Sequence, residues 1–154
     1  MKIILLDSAP LSEICDPVPS PRVVAISLWA SSQLAAGNQI CVPEVIDYEL
    51  RRELVRSGKK NSIQELDAIK NRFTYIPINT QAMILAADLW AQSRNLGSPT
   101  GDPRRLDIDV ILSAQALVKG SELGLGPTEI VVATTNAKHL SQFLTAERWQ
   151  NISS

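Results

Sequence analysis

The sequence predicts an α/β fold, with helices wrapped around a parallel sheet of four to five strands. Three observations point there. Apolar runs of strand length occur at 2–6, 39–42, 75–78 and 129–133, helical spacing of apolar residues fills the stretches between them, and glycine or proline punctuates most junctions. No repeat, low-complexity segment or linker divides the chain, so residues 1–154 are read as one domain.

The first run, Ile3-Ile4-Leu5-Leu6, is unbroken, as expected of a strand covered on both faces. Residues 21–36 carry Val24, Leu28 and Leu34 at helical spacing and stop at Gly37. The second strand ends at Pro43. Helices follow over 44–56, closed by Ser57-Gly58, and over 63–73; the third strand is 75–78. Thr80 reads as the N-cap of a helix to about Arg94, with Met83, Leu85, Ala86 and Leu89 in its core. Trp29 and Trp90 fall in apolar helical stretches and read as core. Gly97, Pro99, Gly101 and Pro103 make 95–105 a loop. Residues 107–119 form a helix closed by Gly120, 129–133 a fourth strand, 136–143 a short helix, and 149–152 an edge strand.

Of 154 residues, 45% are hydrophobic and 20% charged, and the net charge is −1. These values are ordinary for a soluble globular protein. They argue against a surface built throughout for nucleic acid, although local patches such as Arg51-Arg52 and Arg104-Arg105 outweigh the total. No stretch approaches the ~18 consecutive apolar residues of a membrane span. The apolar start reaches Asp7 too soon for a signal-peptide core. Cys15 and Cys41 match no metal-ligand spacing. A reduced, cytoplasmic protein is the expectation.

In an open α/β sheet, ligands bind beyond the carboxyl ends of the strands. Asp7 follows the first strand, Glu49 lies on the helix after the second, Asp107 and Asp109 open a later helix, and Asn136 follows the fourth strand. Singly, each has a structural explanation: Asp7, Asp107 and Asn136 as helix caps, Asp109 as a favourable first-turn acid, Glu49 as part of a surface row with Arg52 and Glu53. Together they bring acidic and amide oxygens to one rim. Clustered carboxylates repel unless cations neutralise them, and an oxygen-only donor set suits Mg²⁺ or Mn²⁺. Asp107 and Asp109 lie roughly 200° apart on a helix of about 3.6 residues per turn, so only one can point inward, and Asp109 is chosen. His139, the single histidine, reads as a surface or packing residue.

The motifs resemble those of PIN domains, in particular the single-domain ribonucleases that act as toxins in bacterial toxin–antitoxin pairs. Ile3-Ile4-Leu5-Leu6-Asp7-Ser8 is similar to the family's opening strand and first acid. Glu49-Leu50-Arg51-Arg52 resembles the helix bearing the second. The stretch from Leu106 to Ala116 resembles the third motif and aligns Asp109, and Thr134-Thr135-Asn136-Ala137-Lys138-His139 resembles the fourth. The resemblance runs from Met1 to about Phe143. It implies a PIN-like three-layer α/β/α sandwich and Mg²⁺- or Mn²⁺-dependent cleavage of RNA. The partners it implies are RNA, an antitoxin protein and a second copy of the chain.

On this reading Asp7, Glu49 and Asp109 hold metal, and Asn136 (where the family often has aspartate) supports the site or orients water. Thr134 contacts phosphate or a ligand, Arg51, Arg104 and Arg105 contact phosphate, and replacing Arg104 and Arg105 leaves metal binding intact. The alternative is a PIN-like module that binds RNA or protein and has lost efficient catalysis.

Overall fold

The computed structural model describes residues 1–96 and 103–154, with side chains from Arg105 onward in the second span. Strands β1 (Ile3–Leu6), β2 (Gln39–Pro43), β3 (Thr74–Ile76), β4 (Ile130–Ala133) and β5 (Ala146–Glu147) form one sheet in the order β3-β2-β1-β4-β5. Every pairing is parallel. The helices are α1 (Ser8–Ile14), α2 (Pro21–Ala35), α3 (Glu44–Arg56), α4 (Lys60–Ile69), α5 (Thr80–Asn95), α6 (Pro103–Leu123) and α7 (Ala137–Leu140). From β1 the chain winds outward through β2 and β3, then returns to place β4 on the other side of β1. That reversal opens a crevice at the carboxyl ends of β1 and β4, where doubly wound folds bind ligands.

β1 and β4 are wholly buried because helices cover both faces, which explains their unbroken apolar composition. The main core joins these strands to Leu11, Ile46, Leu66, Ile108, Leu112 and Ala116. A second cluster fills the seam between α5 and α6. Helix α6 serves both: Ile108, Leu112 and Ala116 recur every four residues toward the sheet, and Leu106, Val110, Ala114 and Val118 do so toward α5. Full burial of a side chain such as Leu112 contributes about 1.5–3 kcal/mol. Cys15 and Cys41 are free and buried, and burial pushes both thiols up to about 12.

Several boundaries differ from the sequence reading. Residues 97–102 of the expected loop lie outside the described residues, but its ends are helical: Asn95 closes α5 and Pro103 opens α6. Proline, read as a loop signal, is favoured in the first turn of a helix. Gly120 does not end α6. A Cβ there would stand 1.6 Å from Ile130 Cδ1, so glycine lets the helix lie close on β4, and Gly124 with φ 65 follows the last helical residue. Asn79, not Thr80, caps α5 through Ala82 N–H. Helix α7 stops at Leu140, and residues Trp149–Asn151 form a 3₁₀ turn, the edge strand being β5. Met83 and Trp90, expected in the core, are exposed, as are Val24 and Leu28 of α2. Trp29 is half-buried and donates its indole N–H to Ile152 O at 3.1 Å. Among the described residues no helix is long and apolar enough to cross a membrane.

Candidate active site

Asp7 is the residue after β1. Its backbone N–H continues the ladder to Ala133 O at 2.9 Å, and its Oδ1 accepts from Ser8 N–H at 2.8 Å at the start of α1. The capping role expected of Asp7 is present, and its second oxygen takes a different partner. Its Oδ2 accepts a 2.7 Å hydrogen bond from the Thr134 hydroxyl, which in turn accepts from Asn136 N–H at 2.9 Å. Thr134 is almost fully buried with its hydroxyl occupied in both directions. In this structure the Thr134 hydroxyl is committed to Asp7, whose carboxylate it orients.

Glu49 depends on how α3 is anchored. Pro43 offers no side chain to cap this helix, so the orphan donors of its first turn need partners from elsewhere. Gln115 of α6 supplies one, accepting from Val45 N–H at 3.3 Å while donating to Ile76 O at 2.7 Å. Glu44 ties the same turn to the strand beyond, accepting from Ile78 N–H at 2.8 Å and from the Tyr75 hydroxyl at 3.1 Å. Gln115 was not singled out from sequence. A buried amide within an otherwise small and apolar helical run was the available signal.

Asp109 is 1% exposed and Asp107 is exposed, so Asp109 is the residue α6 turns inward. Burial pushes its carboxyl up from 3.8 to about 6, with Asp7 adding to the shift and Arg105 and His139 opposing it. Its Oδ2 is buried without a hydrogen-bond partner, and His139 Nε2 stands 3.7 Å away. His139 is thus buried beside the acid, not at the surface.

The three acids meet around one cation. Arg105, a turn before Asp109 on α6, places Nη1 3.2 Å from the Glu49 carboxylate and Nη2 3.5 Å from both Asp7 Oδ1 and Asp109 Oδ1. Burial disfavours the charged guanidinium, but the three carboxylates outweigh it and raise its pKa. Arg105, expected from sequence to contact phosphate, here pairs with the acids. As the side chains lie, no described group of three or more acidic, cysteine or histidine residues is spaced to hold an ion directly. The donor set nevertheless fits a hard divalent ion: the anionic groups are oxygen ligands, and one buried carboxylate oxygen has no partner.

Other expected contacts separate from this centre. Arg51 points away, bonded to Asp47 at 2.8 Å and Asp67 at 2.8 Å. Burial alone would raise the Asp47 carboxyl, but hydrogen bonds from Arg51 and Lys70 hold it below its usual range. Arg52 stands on the Glu49 side of α3. It follows Glu49 by three residues, hence shares its helix face, and with Ser8, Ser12, Glu53 and Arg105 lines an open cleft of ≈ 420 Å³. Asn136 is exposed, and its side chain neither caps α7 nor hydrogen-bonds another of the described residues. The backbone of Arg104 belongs to α6, and its side chain lies outside the described residues.

No protein-family model matches the chain, and no curated protein does. Solved structures do. VapBC2 from Rickettsia felis bound to a DNA fragment from their promoter aligns with TM-score 0.69 and 19% identity over 96% of this chain and 98% of that one. VapBC-1 from nontypeable Haemophilus influenzae aligns with TM-score 0.68 and 15% identity over 97% and 99%. DNA-bound VapBC from Salmonella typhimurium aligns with TM-score 0.59 and 20% identity over 97% and 99%. With five parallel strands between helical layers and these neighbours along nearly its whole length, the chain has the PIN-like α/β/α fold that its motifs resemble.

Proposed function

We propose that this chain is a divalent-metal-dependent endoribonuclease that serves as the toxin of a cytoplasmic toxin–antitoxin pair. The observation that carries the reading is the meeting of Asp7, Glu49 and Asp109 around one positive group, with Asp109 Oδ2 buried and unpartnered. These three residues would hold Mg²⁺ or Mn²⁺. Such an ion, when bound, supplies Lewis acidity toward a phosphoryl oxygen and lowers the pKa of its water. Thr134 fixes the Asp7 carboxylate, Gln115 and Glu44 fix the helix that carries Glu49, and His139 flanks Asp109. Arg52, Ser8 and Ser12 line the cleft in which an RNA backbone would lie, making contacts that position a strand without reading its sequence. The VapBC neighbours support an antitoxin as partner, and the resemblance to toxin ribonucleases implies a second copy of the chain.

A second reading, a PIN-like RNA- or protein-binding module without efficient catalysis, is favoured by the Arg105 guanidinium among the acids and by the unengaged Asn136 side chain. Cleavage assays on an unstructured RNA separate the two. The nuclease reading expects cleavage with Mn²⁺, none with EDTA, and a loss of at least about 10²-fold in Asp7→Asn and Asp109→Asn, as expected when a preorganised charged group is removed. RNA binding without cleavage would leave the second reading standing, and metal-independent cleavage would contradict both.

A further inference from the structure

The acidic pocket already contains a cation, and it belongs to the chain. Arg105 spans all three carboxylates at 3.2–3.5 Å, farther than the ~2.7–2.9 Å of a tight charge-assisted hydrogen bond. The guanidinium therefore neutralises the acids without being locked to any of them. It leaves Asp109 Oδ2, on the far side of that carboxylate, buried and unpartnered. The Arg105 side chain is 37% exposed and also lines the ≈ 420 Å³ cleft, so a route outward exists along the wall it already occupies.

We infer that Arg105 is an internal competitor for the divalent ion: it occupies the carboxylate pocket in the metal-free protein and swings into the adjacent cleft when metal binds. This rests on the metal-site reading proposed above and adds how the site is controlled. Two cations cannot share the pocket, because Arg105 placed against a divalent ion would meet repulsion in a partly buried, poorly screened setting. Metal loading must therefore displace it. The displaced guanidinium then stands in the cleft beside Arg52, where it can take a phosphate of the RNA bidentately. By linkage, an anion that holds Arg105 in the cleft favours metal binding, and metal favours the anion. The substrate backbone thus helps to load the site that cuts it.

Competition of this kind lowers apparent affinity in proportion to the time the pocket is blocked; an arginine in place about nine-tenths of the time weakens metal binding by about tenfold. The test is calorimetric titration of Mn²⁺ into wild type, Arg105→Gln, Arg105→Lys and Asp109→Asn, without RNA, after a metal-free thermal melt of each. Gln keeps length and polarity but removes the charge. The expected result is Mn²⁺ affinity raised about tenfold or more in Arg105→Gln, close to wild type in Arg105→Lys, and reduced in Asp109→Asn. Wild-type binding that depends on Asp109, with Arg105→Gln binding equally or more weakly, overturns the competitor role and leaves the metal site standing. Asp109→Asn that binds as tightly as wild type, or no binding in wild type, Arg105→Gln and Asp109→Asn alike, overturns the metal site itself and the competitor with it. Should Arg105→Gln melt too low to titrate, Arg105→Met, which keeps the apolar stem and removes the charge, takes its place: Mn²⁺ affinity raised about tenfold supports the role, and affinity at or below that of wild type overturns it.

Discussion

The Thr134 hydroxyl donates to Asp7 Oδ2 across the junction of β1 and β4, at 2.7 Å. The register makes this contact unavoidable: Leu6 pairs with Ala133, so the next residues on each strand emerge side by side at the crevice. One of them is the acid, and the other is the group that holds it.

Thr134→Val keeps the shape and removes the hydroxyl. It leaves the buried Asp7 oxygen and Asn136 N–H without their partner, and should lower stability by about 1–3 kcal/mol. If Asp7 ligates metal, the loss of its orienting bond should also weaken Mn²⁺ binding by roughly 10–100-fold. Thr134→Ser should restore both. Urea denaturation and Mn²⁺ titration check the pair, and a Val variant as stable and as metal-avid as wild type removes the orienting role.

Asp109 gives a pH dependence whose sign follows from its environment. Burial raises its carboxyl from 3.8 to about 6 in the folded chain, so the folded state holds this proton more tightly than the unfolded state does. Metal-free wild type should lose stability, on the order of 2 kcal/mol, as pH rises through that interval. Asp109→Asn has no such carboxyl and should lose none of it, becoming the more stable protein near pH 7 in EDTA. Melting curves from pH 4.5 to 7 test this. The window stays above the acid range where Asp47, held low by Arg51 and Lys70, would lose its own contribution as pH falls. A constant difference between the two proteins across the window would contradict the assigned burial cost.

Gln115 bridges α3 and β3 from within α6. Gln115→Leu fills similar volume but strands Val45 N–H and Ile76 O, and should cost about 2 kcal/mol, the penalty for buried groups left unpaired. Because Gln115 holds the turn that leads to Glu49, metal affinity should fall as well, whereas a purely stabilising bridge would leave affinity unchanged in the folded fraction. Denaturant midpoints and calorimetry on the same preparations separate these outcomes.

How far the sequence foretold this arrangement depended on whether the signal was local. β1 and β4 were legible because burial on both faces demands an unbroken apolar run, and Asp7 was legible because it ends one. Helical geometry required a choice between Asp107 and Asp109, and the motif resemblance made it for Asp109, the one that is buried. Arg51 was preferred to Arg52 despite the same geometry, which puts the residue three after Glu49 on its face. The misplaced start and end of α6 came from reading Pro103 and Gly120 by their commonest roles, when the neighbouring strand Ile130 decides the second. His139 and Gln115 act through contacts with residues distant in sequence, Asp109 and Val45, and no spacing rule reports such contacts. The paired state of Arg105 was likewise invisible, because it depends on three segments meeting.

The most direct measurement of the central claim is the position of Mn²⁺ in crystals of the wild-type protein, read from its anomalous scattering. The account predicts a peak among the carboxylates of Asp7, Glu49 and Asp109, with Asp109 Oδ2 among the ligands and the Arg105 guanidinium moved into the cleft beside Arg52. A peak elsewhere, or none at saturating Mn²⁺ with Arg105 still between the acids, would contradict it.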